Sequence, residues 1–228
     1  MENHSLKVIA HIENDFTSKF GIPRQSGMLS ELKSRIVFEN EYRREEAFRD
    51  ITGFSHLWLI WQFSEAVRED WSPTVRPPML GGNKRTGVFA TRSPYRPNAL
   101  GLSCVKLLEY VSDPKKGPTL IVSGADLMNG TPIYDIKPYL PFADSVPDAK
   151  AGFTEALPPR CLEVEFDEKL LLKVAEDKRQ QLVKLLSGDP RPSYQNDPER
   201  VYGFEFGGME IKFTVEDGIL KVKSVDMA

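Results

Sequence analysis

Histidine and cysteine are scarce in this sequence, with three and two among 228 residues, and that scarcity limits the available chemistry. Three histidines leave little room for imidazole-driven acid–base work, and no His/Cys spacing suits a zinc ion. Cys104 and Cys161 lie far apart in apolar, strand-like surroundings, so they read as buried thiols rather than a disulfide framework. No stretch approaches the uninterrupted apolar length of a membrane span. The opening residues, MENHSLKVIAHIEND, lack the basic leader and apolar block of a secretory signal and the acid-poor character of a transit peptide, so a cytoplasmic location is expected. A Walker A loop, a GxGxxG turn after a strand and a GxSxG elbow are also missing. Without a glycine-rich βαβ fingerprint, the usual fold for hydride and methyl transfer is excluded.

What is present is uneven in charge. The formal net charge is −3, which argues against indiscriminate coating of nucleic acid. Yet from Arg76 to Lys106 there is no acidic residue, and the charged positions are Arg76, Lys84, Arg85, Arg92, Arg96 and Lys106. A basic segment on a negative protein is the expected footprint of a site for a polyanion or a carboxylate-bearing ligand. Its centre is ATRSPYRPN, where Pro94 and Pro97 stiffen the backbone around Arg92 and Arg96. Guanidinium groups presented from such a loop suit bidentate contact with carboxylate or phosphate.

The remaining pattern predicts a mainly β chain. Strands are expected at Ser5–Glu13, Leu32–Phe38, Phe54–Phe63, Val88–Thr91, Leu100–Tyr110, Pro118–Ser123 and Ile133–Ile136, with a short helix from Asn40 through Phe48. FSHLWLIWQF is apolar at almost every position and reads as a strand covered on both faces, with His56 and Gln62 needing partners. Loops rich in glycine and proline include FTSKFGIPRQSGML, centred on Arg24 and Gln25, and WSPTVRPPMLGGNKR. Many short strands joined by turns point to a small antiparallel β-barrel over residues 1–150. Residues 158–228 follow a different pattern: a strand at Leu162–Phe166, a helix at Glu168–Leu186, then strands at Val201–Phe206, Glu210–Val215 and Ile219–Val225. This forms a small C-terminal α+β domain, its last two strands joined by a hairpin turn through Glu216, Asp217 and Gly218.

TGVFATRSPYRPNALGLS, with FSHLW and TVRPP before it and DLMNGTPIYDIKPYLPFADS after it, resembles the TsaA-like family, and PRQSG and DPRPSY extend the likeness. The resemblance implies a β-barrel that binds S-adenosyl-L-methionine, often as a homodimer, and transfers a methyl group to N6 of threonylcarbamoyladenosine at position 37 of tRNA. By position, the cofactor pocket would draw on Gln25, Ser26, Gly27, Ser64, Glu65, Arg92, Leu102, Ser123, Gly124, Ala125 and Asp126. Arg92 would hold the methionine carboxylate, Leu102 would cover the adenine, and Asp126 would accept from the ammonium or the ribose hydroxyls. The family usually has Pro and Ile where Ala99 and Leu100 stand, and His and Gln at Ser64 and Glu65. The amide-like N6 must lose a proton, for which Asp126, Tyr134 and Asp135 are candidates. Arg76, Lys84, Arg85, Tyr95 and Arg96 would meet the anticodon loop. No metal and no membrane are expected as partners. Methylation of another RNA or a small acceptor, or ligand binding without turnover, remains an open reading.

Overall fold

The computed structural model describes residues 4–18, 21–23, 25–27, 32–68, 70–77, 80, 82–155, 161–191 and 197–228. Arg24, and Pro192 to Tyr194 of DPRPSY, lie outside them. The chain divides into two compact units, one of Met1–Asn14, Arg24–Val75 and Thr86–Tyr139, the other of Asp15–Pro23, Arg76–Arg85 and Leu140–Ala228.

The first unit is built from β1 (Ala10–Glu13), β2 (Lys33–Phe38), β3 (His56–Gln62), β4 (Thr74–Val75), β5 (Thr86–Gly87), β6 (Leu100–Asp113), β7 (Gly117–Ser123) and β8 (Pro132–Pro138). Six of them pair in the order β1-β2-β7-β6-β3-β8, and β8 returns to β1, closing an antiparallel barrel. Closure removes the free edges that would otherwise expose unpaired backbone groups. Alternation decides what fills the ring. Ile36 and Phe38 from β2, Leu57, Leu59 and Trp61 from β3, Val105 from β6, Leu120 and Val122 from β7 and Ile133 from β8 pack in one buried cluster. On β3 the intervening His56, Trp58, Ile60 and Gln62 are half-buried, so this strand presents one core face and one outer face rather than two covered ones. His56 Nδ1 lies 2.9 Å from Ser55 Oγ, and Gln62 accepts from the Tyr134 hydroxyl.

Several expectations change in detail. The first predicted strand is shorter than expected, with β1 covering Ala10–Glu13, Ile9 adding backbone bonds to Ile133 and Glu39, and Leu6 remaining 57% exposed. The predicted helix at 40–48 is instead a series of 3-10 turns at Asn40–Tyr42, Glu45–Phe48 and Ile51–Gly53. Its charged residues offer no apolar stripe; Phe48 alone is buried, edge-on to Phe38 at 4.7 Å. Asp50 then turns the chain with φ of 65°. The predicted strand at Val88–Thr91 is also a 3-10 turn, because Val88 turns into the core while Phe89 and Ala90 face outward. The β4–β5 ribbon interrupts the loop that WSPTVRPPMLGGNKR suggested.

The second unit contains β9 (Glu163–Glu165), β10 (Tyr202–Phe206), β11 (Met209–Glu216) and β12 (Ile219–Met227) in the order β10-β11-β12-β9, with β9 parallel to β12. Asp217 and Gly218 both have positive φ, 47° and 81°, the geometry of a two-residue primed turn. Three helices are described here: α1 (Pro141–Asp144), α2 (Glu168–Leu171) and α3 (Glu176–Ser187). The single helix expected over 168–186 is therefore broken. Ala175 adopts an extended ψ of 137°, and Arg179 donates to the carbonyls of Val174 and Leu172 at 2.9 and 3.3 Å, satisfying the oxygens left open at the break. Leu182, Leu185 and Leu186 of α3 are buried. Cys161 is exposed and Cys104 half-buried, so Cys161 is not the buried thiol expected of it. Among the described residues, no helix is long and apolar enough to cross a membrane.

One backbone position carries much of the barrel's order. Gly101 on β6 pairs with Trp61 on β3, and a Cβ there would come within 2.2 Å of Trp61 Cε2. The indole is buried and cannot retreat without repacking. Gly101→Ala is expected to destabilise the barrel by about 1–3 kcal/mol, the usual penalty for overpacking. A urea midpoint equal to that of the unsubstituted protein would contradict this packing account.

Candidate functional site

The inward residues of β6 at this end of the barrel are Gly101, Ser103 and Val105, all buried. Ser103 is polar among apolar neighbours, and its hydroxyl is fully engaged. Trp61 Nε1–H donates to Ser103 Oγ at 2.9 Å, and Ser103 Oγ–H donates to Asp126 Oδ1 at 2.5 Å. The indole thus orients the hydroxyl, and the hydroxyl orients a carboxylate just beyond the end of β7. Asp126 also accepts from its own backbone N–H and from that of Ser26, and the Arg92 guanidinium acts on it through its charge. Burial nevertheless dominates and holds the Asp126 carboxyl above its ordinary value of 3.8.

A loop crosses the same region. Gly27 N–H donates to Gly124 O at 2.8 Å, and Gly124 N–H donates to Leu32 O at 3.2 Å. Gly124 has φ of 79°, and a Cβ on it would stand 3.2 Å from the Gly27 backbone; the two chains approach this closely because neither carries a side chain here. Ser26 Oγ accepts from Cys104 N–H at 3.1 Å. Gln25 Oε1 accepts from Arg92 Nη1 at 2.6 Å. Ser123 is buried, and its Oγ has no hydrogen-bond partner among the described residues, whereas buried hydroxyls are ordinarily satisfied. Gln25, Ser26, Gly27, Arg92 and the run Ser123–Gly124–Ala125–Asp126 are therefore brought together.

Other residues expected in a site stand elsewhere on the barrel. Ser64 and Glu65 are exposed in the turn after β3, next to Phe63, whose N–H donates to Ala99 O at 2.8 Å. Leu102 is 56% exposed on the outer face of β6. Its partner across β3 is Ile60, and Ile60 is in turn opposite Asp135 of β8, so Leu102, Ile60 and Asp135 form one outward row. Asp135 pairs with Lys137 at 2.9 Å and accepts from Ile136 N–H at 2.9 Å. The register shifts between Ile60 and Trp61, which face Asp135 and Ile133, leaving Tyr134 as an extra residue on β8. Such a bulge re-aims side chains locally, and here the Tyr134 hydroxyl reaches Gln62.

Of the basic and aromatic residues, Arg96 is half-buried and donates to Thr91 O and Ser93 O at 3.0 and 3.4 Å, bracing its own loop. Tyr95 is exposed beneath the Arg68 guanidinium, 4.0 Å from the ring centroid. Arg76, Lys84 and Arg85 are exposed and belong to the second unit. Sequence reasoning missed Trp61, Ser103 and Gly101. A glycine inside a strong strand, two residues before a serine at another inward position, was the available signal of close packing around a buried polar group.

The burial of Asp126 has a consequence for stability. Because its folded value is raised, the native state holds a proton that the unfolded chain has already released. Stability therefore falls as pH rises through the interval between 3.8 and the raised folded value. Below that interval the effect is absent, and above it the penalty is complete. Relative to Asp126→Asn, the unsubstituted protein should lose stability on this upward passage. Urea unfolding of both proteins across acidic to neutral pH measures it, and the opposite slope would refute the burial argument.

The tRNA-methyltransferase O N-terminal domain profile matches residues 11–145, and the TrmO C-terminal domain profile matches residues 159–228. The tRNA (adenine(37)-N6)-methyltransferase of Escherichia coli K12 is 37% identical over 235 residues, covering 99% of each chain. A protein of Pyrococcus abyssi named "Probable S-adenosyl-L-methionine-binding protein" is 34% identical over 147 residues, covering 64% of this chain and 74% of its own. A crystal structure of TrmO from P. aeruginosa matches with a TM-score of 0.80 at 30% identity, over 100% of this chain and 99% of that one. With both domain profiles in order and a relative of this identity along nearly its whole length, the chain belongs to the tRNA-methyltransferase O family.

Proposed function

We propose that this protein is an S-adenosyl-L-methionine-dependent methyltransferase that modifies N6 of threonylcarbamoyladenosine at position 37 of tRNA. The observation that carries the reading is the placement of Arg92 and Asp126, groups of opposite sign, around the Ser26–Gly27 and Gly124 backbones. An amino-acid zwitterion needs a cation for its carboxylate and an anion for its ammonium, and these residues supply both. The Ser123 hydroxyl, without a hydrogen-bond partner among the described residues, and the close-approaching glycines fit a ligand that also presents polar atoms to backbone. The bound cofactor supplies an electrophilic methyl group on a sulfonium, so the protein's work is mainly alignment.

In this reading Arg92, oriented by Gln25, holds the carboxylate, and Asp126, oriented by Ser103, accepts from the ammonium or a ribose hydroxyl. Ser26, Gly27 and Ser123 through Ala125 shape the pocket wall, Leu102 offers an apolar surface to the adenine, and Ser64 and Glu65 border the pocket. Asp135, on the same outward row as Leu102, takes the N6 proton. Tyr134, bonded to Gln62, positions the acceptor base. Tyr95 and Arg96 belong to the RNA surface of the first unit, and Arg76, Lys84 and Arg85 are proposed as separate phosphate contacts on the second. Residues 1–150 act as the methyltransferase domain and residues 158–228 as the α+β domain. A homodimer would cover Leu100 and Leu102 on the outer face of β6, and the cytoplasm, where tRNA is modified, is the proposed location.

Titration calorimetry with S-adenosyl-L-methionine and nucleoside mass analysis of tRNA from cells lacking the gene test the proposal together. Loss of one methyl group on threonylcarbamoyladenosine is expected, and an unaltered nucleoside profile would reject it. The two carboxylates should separate. Asp126→Asn is expected to weaken cofactor binding about tenfold through loss of a charge-assisted contact. Asp135→Asn should leave cofactor binding unchanged and lower kcat roughly a hundredfold, the low end for a general base. Interchanged effects would reverse the two assignments.

A further inference from the structure

Two large rings on the first unit stand open to solvent without a part in the pocket above. Trp71 is 52% exposed and Phe89 is 74% exposed, with ring centroids 6.1 Å apart and planes inclined by 33°. Their backbones are held firmly. Thr74 pairs with Gly87 and Val75 with Thr86, Val88 N–H donates to Pro73 O at 3.0 Å, and the Val88 side chain is buried as an anchor. Thr91 Oγ1 closes the following turn on Val88 O at 2.8 Å. The rings are thus displayed from a pinned ribbon, and little ordering is left to be lost when something settles on them.

The charge of the surrounding sequence selects the occupant. No acidic residue occurs from Arg76 to Lys106, and Arg96 follows Phe89 within seven residues. In the same unit, the Arg68 guanidinium lies 4.0 Å above the ring of Tyr95, itself 42% exposed, adding a second planar, cationic surface. Flat aromatic faces beside arginines are suited to nucleobases freed from a helix, whose faces stack while their phosphates meet the charge. We propose that Trp71 and Phe89 form a stacking platform for an unpaired base of the RNA loop that carries the methylated adenosine. A base inserted between two rings needs about 7 Å, twice an aromatic contact distance. The observed 6.1 Å spacing therefore places the base on the outer surface of the pair, not between its members. This inference rests on the tRNA reading and gives that reading a contact surface distinct from the cofactor pocket.

The test uses the full-length protein, an anticodon stem-loop RNA, and a fully paired duplex with the same stem, measured by fluorescence anisotropy. Phe89→Ala and Trp71→Leu should each weaken stem-loop binding roughly tenfold, and Phe89→Tyr should restore it to within about twofold. Affinity for the duplex should not change, nor should the slope of log K against log salt, because stacking releases no counterions. Cofactor binding by calorimetry should match that of the unsubstituted protein. Stem-loop affinity unaltered by Phe89→Ala and Trp71→Leu overturns the platform. So does a fall in sedimentation mass in either variant, which would mean that a second copy of the chain covers the rings. If the unsubstituted protein binds the cofactor but not the stem-loop, the tRNA reading itself fails, an outcome separate from failure of the variants alone.

Discussion

The contact on which the site depends is the close approach of Trp61 to the bare backbone of Gly101. The indole can lie flat across β6 only where the neighbouring residue has no side chain. Lying there, its N–H meets Ser103 Oγ, and Ser103 in turn meets Asp126. Each member of this chain is satisfied by the next, which is the condition under which buried polar groups rigidify rather than weaken a core. This close packing point is thus also the anchor of a carboxylate that burial holds above its ordinary value. A change that loosened the indole would be felt at Asp126 two bonds away in the chain.

Barrel closure gives that chain its precision. With strands paired on both sides, β3 and β6 cannot slip by one residue without exchanging their core and outer faces. The same registry that buries Leu59 and Trp61 turns Ile60 outward between Leu102 and Asp135. Between β3 and β8 the register shifts once, and the extra residue is Tyr134. Inward alternation therefore builds stability, and outward alternation with one bulge sets Leu102, Ile60, Asp135 and Tyr134 on the outer side.

The β character of the chain was legible because hydrophobic alternation is local: Ile36 with Phe38 and Leu120 with Val122 show their faces within a few residues. The C-terminal hairpin was legible for the same reason, since Asp217 and Gly218 carry their turn geometry in their own chemistry. Residues 40–48 were misread as helical because charge-rich sequence permits helix, whereas the actual path is set by Phe48 packing on Phe38. The broken helix at 172–175 follows from Arg179 capturing carbonyls upstream, a contact that periodicity cannot express. For the candidate site, motif position named Gln25, Arg92 and Asp126, which the fold brings together. It could not locate Ser103, whose role exists only because Trp61 lies 42 residues earlier in the chain and beside it in the fold.

The acid-free segment from Arg76 to Lys106 is less uniform than its charge suggests. Arg96 spends its donors on Thr91 and Ser93 carbonyls, so its first effect is to brace the loop. Arg92 extends to Gln25 and acts on Asp126, so its charge is already balanced and directed before any ligand arrives. Val88, ahead of both arginines in the segment, is driven into the core and fixes the turn that displays Phe89. For a transfer reaction in which the donor carries its own leaving group, the protein contributes chiefly by holding two partners in line. A single braced segment does this more effectively than separate mobile loops, because the entropy of fixing donor-side and acceptor-side contacts has been lost once, during folding, and not again at each encounter.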